Sequence, residues 1–394
     1  MLTESLLAKR TERMGSSAIR EILKVVSRPG IVSLAGGIPA PEAFPMDQIN
    51  NLTQLVLEKY GSTALQYGTT EGFMPLREAL VDYFKDQQIT AEAENINITT
   101  GSQGVLDALS KIFISPGDTL AVEAPTYLGA LQAFNPYEPN YVQMATDDDG
   151  LIPESMEEVI KKHHPKMVYL IPTFQNPTGR TIPLERRKKI AEIAQATNTL
   201  VIEDDPYGQL RYRGEFVTPI HVFAPDHVVY CGTFSKVFAP GLRLGFYLAP
   251  KFIREWLVKA KQGVDLHTCS LSQTLATEFL NGGYLKSHLP NIIKIYKPRQ
   301  EAMLKAMEKY FPDTFTWSKP EGGMFIWAEG PEGMDGIKLY EEAINNKVAF
   351  VPGRYFFTEE GAGEATMRLN FTMADEKTIE SAIQRLAQAI DKVK

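Results

Sequence analysis

Short apolar runs alternate with longer amphipathic segments through the middle of the chain. The β-rich runs cover residues 96–99, 119–123, 167–171, 199–203, 228–234 and 242–249. Between two of them, residues 184–196 are charged on one face and apolar on the other, as expected of a helix packed on a sheet. Strands separated by helical crossovers are typical of a mostly parallel sheet, so the pattern predicts an α/β fold.

The pattern changes after residue 249. Helical segments come first, and short strand-like runs at 322–327, 348–351 and 367–371 then precede a closing helix at 376–393. We therefore expect a large domain over 45–290 and a smaller α+β domain over 291–394. Residues 1–44 have a helical pattern near 17–26 and a Gly36-Gly37 turn but no sheet pattern, so we assign them to the small domain or a wall of the cleft.

Composition narrows the class of function. The chain has 394 residues, 44% of them hydrophobic, which is enough for two packed cores. The net charge of −7 comes without a basic block, which makes nucleic acid a poor partner and favours small molecules. Cys231 and Cys269 form no metal-ligand pattern, so no metal site is predicted. We see no secretory signal and no membrane-spanning run, and expect a cytoplasmic protein.

Lys236 lies in a short turn between two apolar runs, at the carboxyl end of a predicted strand, where open α/β sheets bind ligands. A desolvated amine beside a second cation, here Arg243, loses part of its charge and becomes a nucleophile toward carbonyl groups. Lys236 is thus a candidate for a Schiff base. The alternative is a solvated loop lysine.

Other predicted strand ends also carry chemistry. Gly101 and Ser102 join a strand to a helix, an arrangement that binds anions but is also a common structural junction. Asn176 precedes a proline whose peptide bond could be cis, although an ordinary turn would look the same. Asp204 ends an apolar strand. A carboxylate buried there would need a cation or a hydrogen-bond donor; alternatively, Asp204 would cap the next helix. Asn176, Asp204 and Lys236 follow one another about one strand and crossover apart, so all can converge on one edge of the sheet.

Three motifs carry a resemblance to a known family. They are Asn-Pro-Thr-Gly at 176–179, Asp204 with Tyr207, and Ser235-Lys236 followed by Pro-Gly-Leu-Arg-Leu-Gly at 240–245. Together they resemble the class I/II, fold-type I, aminotransferases that depend on pyridoxal 5′-phosphate, and the match runs nearly end to end. Residues 34–39, 65–68, 261–263 and 320–325 are most similar to the branch of 2-aminoadipate, kynurenine and aromatic aminotransferases. The resemblance implies a large domain with a mostly parallel seven-stranded sheet and a smaller α+β domain.

The resemblance also implies roles for individual residues around the cofactor. Lys236 would form the Schiff base and carry the substrate proton, and Asp204 would pair with the pyridine N–H. Asn176 and Tyr207 would bind the phenolic oxygen. Tyr127 would stack on the ring, the alternative being a core tyrosine. The phosphate would be held by these residues: Ser102, Gln103, Ser235 and Arg243.

Residues farther from the ring would bind substrate or the second subunit. Arg368, centred in an apolar strand, would bind the substrate α-carboxylate, with Asn176 and the Gly37 backbone in the same pocket. Arg20 matches a helix position that can pair with a distal carboxylate, and it is equally well explained as a surface arginine. Tyr67 would reach the phosphate of a neighbouring subunit, which implies a homodimer with shared active sites.

The implied reaction moves an amino group between an L-amino acid and 2-oxoglutarate by a ping-pong Schiff-base mechanism. The amino acid would be 2-aminoadipate, an aromatic or a branched-chain one. The same cofactor and fold also serve C–S β-lyases, which need no oxo acid. A further alternative is a transcription regulator, which would carry a DNA-binding domain before its aminotransferase-like part. Here the first aminotransferase-like motif begins by Ser33, and the acidic net charge of the chain also disfavours a DNA-binding regulator.

Overall fold

The computed structural model describes residues 3–14 and 30–393. Its strands are β1 (Val32–Ser33), β2 (Ile96–Thr99), β3 (Thr119–Glu123), β4 (Asn140–Met144), β5 (Thr146–Asp147), β6 (Gly150–Leu151), β7 (Met167–Leu170), β8 (Val201–Asp205), β9 (Val228–Thr233), β10 (Gly245–Leu248), β11 (Thr316–Trp317), β12 (Phe325–Glu329), β13 (Val348–Ala349), β14 (Val351–Pro352) and β15 (Thr366–Asn370). Its α-helices are α1 (Met46–Tyr60), α2 (Met74–Asp86), α3 (Ser102–Phe113), α4 (Leu128–Phe134), α5 (Pro153–His163), α6 (Leu184–Thr197), α7 (Lys251–Gln262), α8 (Ser270–Asn281), α9 (Tyr284–Tyr310), α10 (Gly336–Asn345) and α11 (Glu376–Val393).

A seven-stranded sheet organises the large domain, with strand order β2-β10-β9-β8-β7-β3-β4. All neighbouring strands run parallel except β10, which is antiparallel to both β2 and β9. Helices cover both faces, and this is why strands such as β7 are apolar and buried at every position. The predicted α/β class and mostly parallel sheet are confirmed.

Some predicted strand limits were wrong. The run at 242–249 was expected to be a strand throughout, but β10 starts only at Gly245. A 3₁₀ turn at Pro240–Leu242 comes first, and Arg243 then adopts a left-handed conformation with φ of +50°. β4 was not predicted, because as an edge strand it is only partly buried and lacks a continuous apolar run.

The small domain contains a four-stranded antiparallel sheet with order β11-β12-β15-β14. The run predicted as one strand at 348–351 is divided at Phe350: β13 pairs with β1, and β14 pairs with β15. The parallel pairing of Val32 with Val348 joins the N-terminal segment to β13. The assignment of residues 1–44 to the small domain or a wall of the cleft stays a prediction. The helix expected at 17–26 lies outside the described residues.

Helix α9 connects the two sheets and packs against α11. It is 27 residues long, so the domain boundary predicted at 290–291 falls within a continuous helix. That boundary stays a prediction. Within the part of the chain that the structure describes, no helix is long and apolar enough to cross a membrane.

Candidate active site

The predicted site residues meet in one cavity at an edge of the large sheet. The carboxyl ends of β2, β7, β8 and β9 reach this edge, and the antiparallel β10 brings its amino end to the same place. The cavity has a volume of about 270 Å³. The predicted residues that line it are Gly37, Ser102, Gln103, Tyr127, Asn176, Asp204, Tyr207, Ser235, Lys236, Arg243 and Arg368.

The Lys236 side chain enters this cavity from the loop after β9. Its Nζ donates a hydrogen bond to the carbonyl oxygen of Gly37 at 3.0 Å. Burial, followed by the positive charges of Arg243 and Arg368, lowers the Lys236 pKa to about 8. The amine is therefore available in its neutral, nucleophilic form much closer to neutral pH than a solvated lysine.

Asp204 lies near the end of β8 and is 1% exposed. Its Oδ2 accepts a hydrogen bond from the Tyr169 hydroxyl at 2.9 Å, whereas its Oδ1 has no hydrogen-bond partner among the residues that the structure describes. Burial raises the pKa of the Asp204 carboxyl to about 7. A buried carboxylate oxygen without a partner is costly unless a donor meets it. The protonated nitrogen of a pyridine ring would satisfy it.

Asn176 lies in the loop after β7 and lines the cavity. The Asn176–Pro177 peptide bond is cis, as the sequence suggested. Asn176 Nδ2 donates to the Tyr207 hydroxyl at 3.2 Å, and its Oδ1 accepts from Arg368 Nη1 at 2.8 Å. Hydrogen-bonding side chains from three separate segments thus meet in the cavity that Asp204 also lines.

A cradle for an anion lies where α3 begins. Gly101 has φ of +74°, and a Cβ there would lie 2.7 Å from Arg243 Nη2. A Cβ at Gly245 would lie 2.9 Å from the backbone nitrogen of Ser102. Glycines therefore keep the helix N-terminus and the guanidinium close together. The backbone N–H groups, the helix dipole and the Arg243 charge make this arrangement suited to a phosphate.

Ser235 also lines the cavity, and its Oγ accepts a hydrogen bond from Thr233 Oγ1 at 2.9 Å. The Gln103 side chain is engaged elsewhere, because its Nε2 donates to the Gly129 carbonyl oxygen at 2.6 Å. The backbone N–H is therefore the group that Gln103 has to offer an anion.

Arg368 lies on β15 and is 2% exposed. Its guanidinium is 4.3 Å from the ring centroid of Phe325 and 5.0 Å from that of Phe356. Nη2 donates to the carbonyl oxygen of Ala35 at 2.7 Å, whereas Nε has no hydrogen-bond partner within residues 3–14 and 30–393. Burial lowers the Arg368 pKa to about 10, and the guanidinium still remains cationic at neutral pH. Such a cation suits a planar carboxylate.

The remaining predicted residues lie in different places. Tyr127 directly precedes α4 and lines the cavity, and burial raises its pKa. Tyr67 is not among the lining residues: it is 78% exposed, and its ring meets His267 edge to face at 5.7 Å between centroids. Arg20 lies outside the described residues.

Sequence reasoning missed two residues that support the site. Tyr169, the partner of Asp204, lies in an apolar run and looks like an ordinary core residue of a strand. Thr233 precedes the Ser235-Lys236 motif by two positions, and only its hydrogen bond to Ser235 reveals it. The available signal was the hydroxyl of Tyr169, because a polar group in a fully buried strand needs a hydrogen-bond partner.

A model of the family described as aminotransferase class I and II matches residues 15–386. The chain belongs to this family. It is 49% identical, over 98% of its length and 94% of the relative's, to an aromatic-amino-acid aminotransferase of Thermococcus litoralis. The aminotransferase resemblance proposed from the sequence motifs is thereby confirmed.

Solved structures of other aminotransferases are similar to this one. The kynurenine aminotransferase of Pyrococcus horikoshii, in complex with PMP, shares 46% identity with a TM-score of 0.94 over 99% of this chain and 98% of that one. The α-aminoadipate aminotransferase of Thermus thermophilus, complexed with N-(5′-phosphopyridoxyl)-L-leucine, shares 37% identity with a TM-score of 0.92 over 100% and 99%. The aminotransferase described here is thus an enzyme that depends on pyridoxal phosphate, in the branch that the sequence indicated.

Proposed function

We propose that this aminotransferase moves the amino group of an L-amino acid to 2-oxoglutarate by a ping-pong mechanism. The observation that carries the proposal is that Lys236, Asp204 and Arg368 line one cavity. The amino acid is 2-aminoadipate, an aromatic or a branched-chain one. Relatives named for aromatic, kynurenine and aminoadipate substrates support that range.

Bound pyridoxal phosphate supplies a carbonyl group that reacts with amines and a ring that takes up electrons when the substrate Cα loses its proton. In this proposal Lys236 binds the cofactor covalently and, once released, takes the proton from Cα. Asp204 keeps the ring nitrogen protonated. Asn176 and Tyr207 donate hydrogen bonds to the phenolic oxygen, and Tyr127 stacks on the ring.

Arg368 binds the α-carboxylate, which every amino acid and oxo acid substrate shares, and Gly37 and Asn176 border the same place. The substrate side chain then points toward Ile38, which lines the cavity and is 51% exposed. An apolar rim suits aromatic and branched side chains. For glutamate and 2-aminoadipate we assign Arg20 as the partner of the distal carboxylate.

We further propose that the enzyme is a cytoplasmic homodimer. Tyr67 is exposed and away from the cavity of its own chain, as expected if it serves the site of a partner. Cys231 and Cys269 are both free thiols, which is compatible with a reducing compartment.

The visible spectrum of the purified enzyme with pyridoxal phosphate tests the proposal. Glutamate, 2-aminoadipate, an aromatic amino acid and a branched-chain one are added separately. Each should convert the absorbance of the lysine-bound cofactor to that of the amino form, and 2-oxoglutarate should then restore the lysine-bound absorbance. Lys236→Ala should lose the lysine-bound absorbance altogether. The 2-oxoglutarate assignment is wrong if glutamate causes no conversion. Pyruvate released from a cysteine conjugate without any oxo acid would instead identify a lyase.

A further inference from the structure

Two tyrosines on either side of β8 hold two consecutive carboxylates. The Tyr169 hydroxyl, on β7, donates a hydrogen bond to Asp204 Oδ2 at 2.9 Å. The Tyr230 hydroxyl, on β9, donates a hydrogen bond to Asp205 Oδ2, also at 2.9 Å. Both tyrosines have no exposed surface. Because side chains alternate along a strand, the first pair belongs to the cavity face and the second to the opposite face.

The bond from Tyr169 decides which oxygen of Asp204 is free. With Oδ2 occupied, Oδ1 is the oxygen left without a partner among the described residues, and Asp204 is part of the cavity lining. The carboxyl torsion of aspartate is broad in the absence of such a contact. A fixed Oδ2 therefore restricts the direction in which Oδ1 can accept a hydrogen bond.

The same bond affects the charge of Asp204. Burial favours the neutral carboxyl and raises its pKa, and the hydrogen bond from Tyr169 opposes that rise because it stabilises the anion. No cation is within hydrogen-bonding or ion-pair distance of Asp204 among the described residues, and its neighbour Asp205 adds a second negative charge. The phenol is thus the group of this chain that favours the anionic form.

We propose that Tyr169 is a positioning residue, which holds Asp204 ionised and oriented toward the nitrogen of the cofactor ring. This inference rests on the proposed role of Asp204 as the partner of that nitrogen. Without the phenol, the Asp204 anion is less stabilised and Asp204 holds the proton that it shares with the ring nitrogen more strongly. The ring nitrogen is then less fully protonated, and the ring becomes a weaker acceptor of electrons.

A purely structural role is the competing explanation. The Tyr169 ring packs edge to face against Phe134, with 5.5 Å between centroids, and Phe would preserve this contact. Tyr230→Phe provides a matched control, since it removes an equally buried hydroxyl at the same distance from the next carboxylate. A structural effect should appear in both variants, whereas an effect on the ring nitrogen should appear only in Tyr169→Phe.

The experiment compares the wild type, Tyr169→Phe, Tyr230→Phe and Asp204→Asn, each loaded with pyridoxal phosphate labelled with ¹⁵N in the ring. The ¹⁵N chemical shift reports protonation of the ring nitrogen, and equilibrium dialysis gives the affinity for the cofactor. We expect wild type and Tyr230→Phe to show a protonated ring and Asp204→Asn an unprotonated one. Tyr169→Phe should lie between them and bind the cofactor up to about tenfold more weakly, because less of the protein then forms the charge-assisted hydrogen bond between the Asp204 anion and the ring N–H.

The variants distinguish the role of Asp204 at the ring nitrogen from the role of Tyr169 in positioning Asp204. If Asp204→Asn leaves the ¹⁵N shift unchanged, the assignment of Asp204 itself fails. If Asp204→Asn changes the shift but Tyr169→Phe does not, only the role of Tyr169 is overturned. Should Tyr169→Phe fail to load, 3-fluorotyrosine at position 169 keeps the hydroxyl as a stronger donor. The shift should then stay at least as close to that of a protonated ring as in wild type, and a shift toward the unprotonated ring would refute the inference.

Discussion

At the scale of single residues, Lys236 shows how the surroundings of a group change its chemistry. A lysine in water has a pKa of 10.5, and burial beside two guanidinium groups lowers the Lys236 pKa to about 8. Each pKa unit corresponds to about 1.4 kcal/mol of differential interaction between the charged and neutral forms. The folded chain thus makes the amine more reactive toward carbonyl groups before any cofactor is bound.

This lowered pKa is measurable in the protein stripped of cofactor. Lysine labelled with ¹³C at Cε should give one NMR signal that titrates with a midpoint of about 8, and Lys236→Arg should lack that signal. Since Arg243 contributes a positive charge, Arg243→Gln should move the midpoint upward. A midpoint near 10.5 for the assigned signal would show that the amine is solvated.

The sequence located the reactive side chains but not the bonds between them. Lys236, Asp204 and Asn176 could be predicted because each follows or ends a recognisable strand. The bond between Arg368 and Asn176 joins residues 192 positions apart and depends on the packing of two domains. Tyr169 was missed for a related reason: an apolar run predicts burial of its ring but gives no information about the partner of its hydroxyl.

At the scale of elements, Glu123 and Gln175 connect the loops that carry Tyr127 and Asn176. Glu123 Oε2, at the end of β3, accepts from the Ile171 backbone N–H at 2.9 Å. Gln175 Nε2 donates to the Pro125 carbonyl oxygen at 2.8 Å, and its Oε1 accepts from the Thr178 N–H at 2.8 Å. These hydrogen bonds hold the two loops together.

The price of this connection is a buried carboxyl group. Burial raises the Glu123 pKa from 4.5 to about 8, so the folded protein holds a proton there that the unfolded chain releases above pH 4.5. The stability from this group is fully present below pH 4.5 and is lost as pH rises to about 8. The loss can reach about 1.4 kcal/mol per pH unit within that window.

Glu123→Gln should remove this pH dependence, because the amide retains the acceptor oxygen without a titrating proton. Thermal unfolding midpoints at pH 5 and pH 8 should therefore differ less in Glu123→Gln than in wild type. Glu185→Gln, at a side chain that is 81% exposed, is the control and should leave the difference unchanged. Equal differences in all three proteins would mean that Glu123 is not a buried acid.

Strand limits were predictable where the apolar run and the sheet pairing coincide, as they do over β3 and β2. They were not predictable where the chain changes direction within an apolar run. At Phe350 the chain passes from a pairing with β1 to a pairing with β15, and a sequence pattern contains no signal for that exchange of partners.

At the scale of the whole molecule, exposed apolar side chains occur in the two segments that meet at Tyr67. Leu65 is 71% exposed, and Val264 and Leu266 are 63% and 45% exposed. The Tyr67 ring contacts that of His267, the residue after Leu266. Apolar surface of this kind marks protein interfaces, and in a symmetric dimer each patch can meet its own copy. This surface supports the proposed homodimer, in which Tyr67 reaches the phosphate in the partner's cavity.

Complementation between two defective subunits tests that arrangement. Tyr67→Phe should bind pyridoxal phosphate about tenfold more weakly than wild type, because it loses one hydrogen bond to a charged phosphate. Lys236→Ala lacks the amine but keeps the Tyr67 hydroxyl. A mixed dimer then has one site with both defects and one site with neither, provided that Tyr67 acts across the interface.

The mixed dimer can be isolated by coexpressing the two variants with different affinity tags and purifying over both columns. Its cofactor affinity and its amino-transfer rate, each calculated per chain that carries Lys236, should return to the wild-type values. If Tyr67 serves the cavity of its own chain, every subunit with an intact Lys236 also lacks the hydroxyl. The mixed dimer would then bind the cofactor no better than Tyr67→Phe alone, and the shared active site would be ruled out.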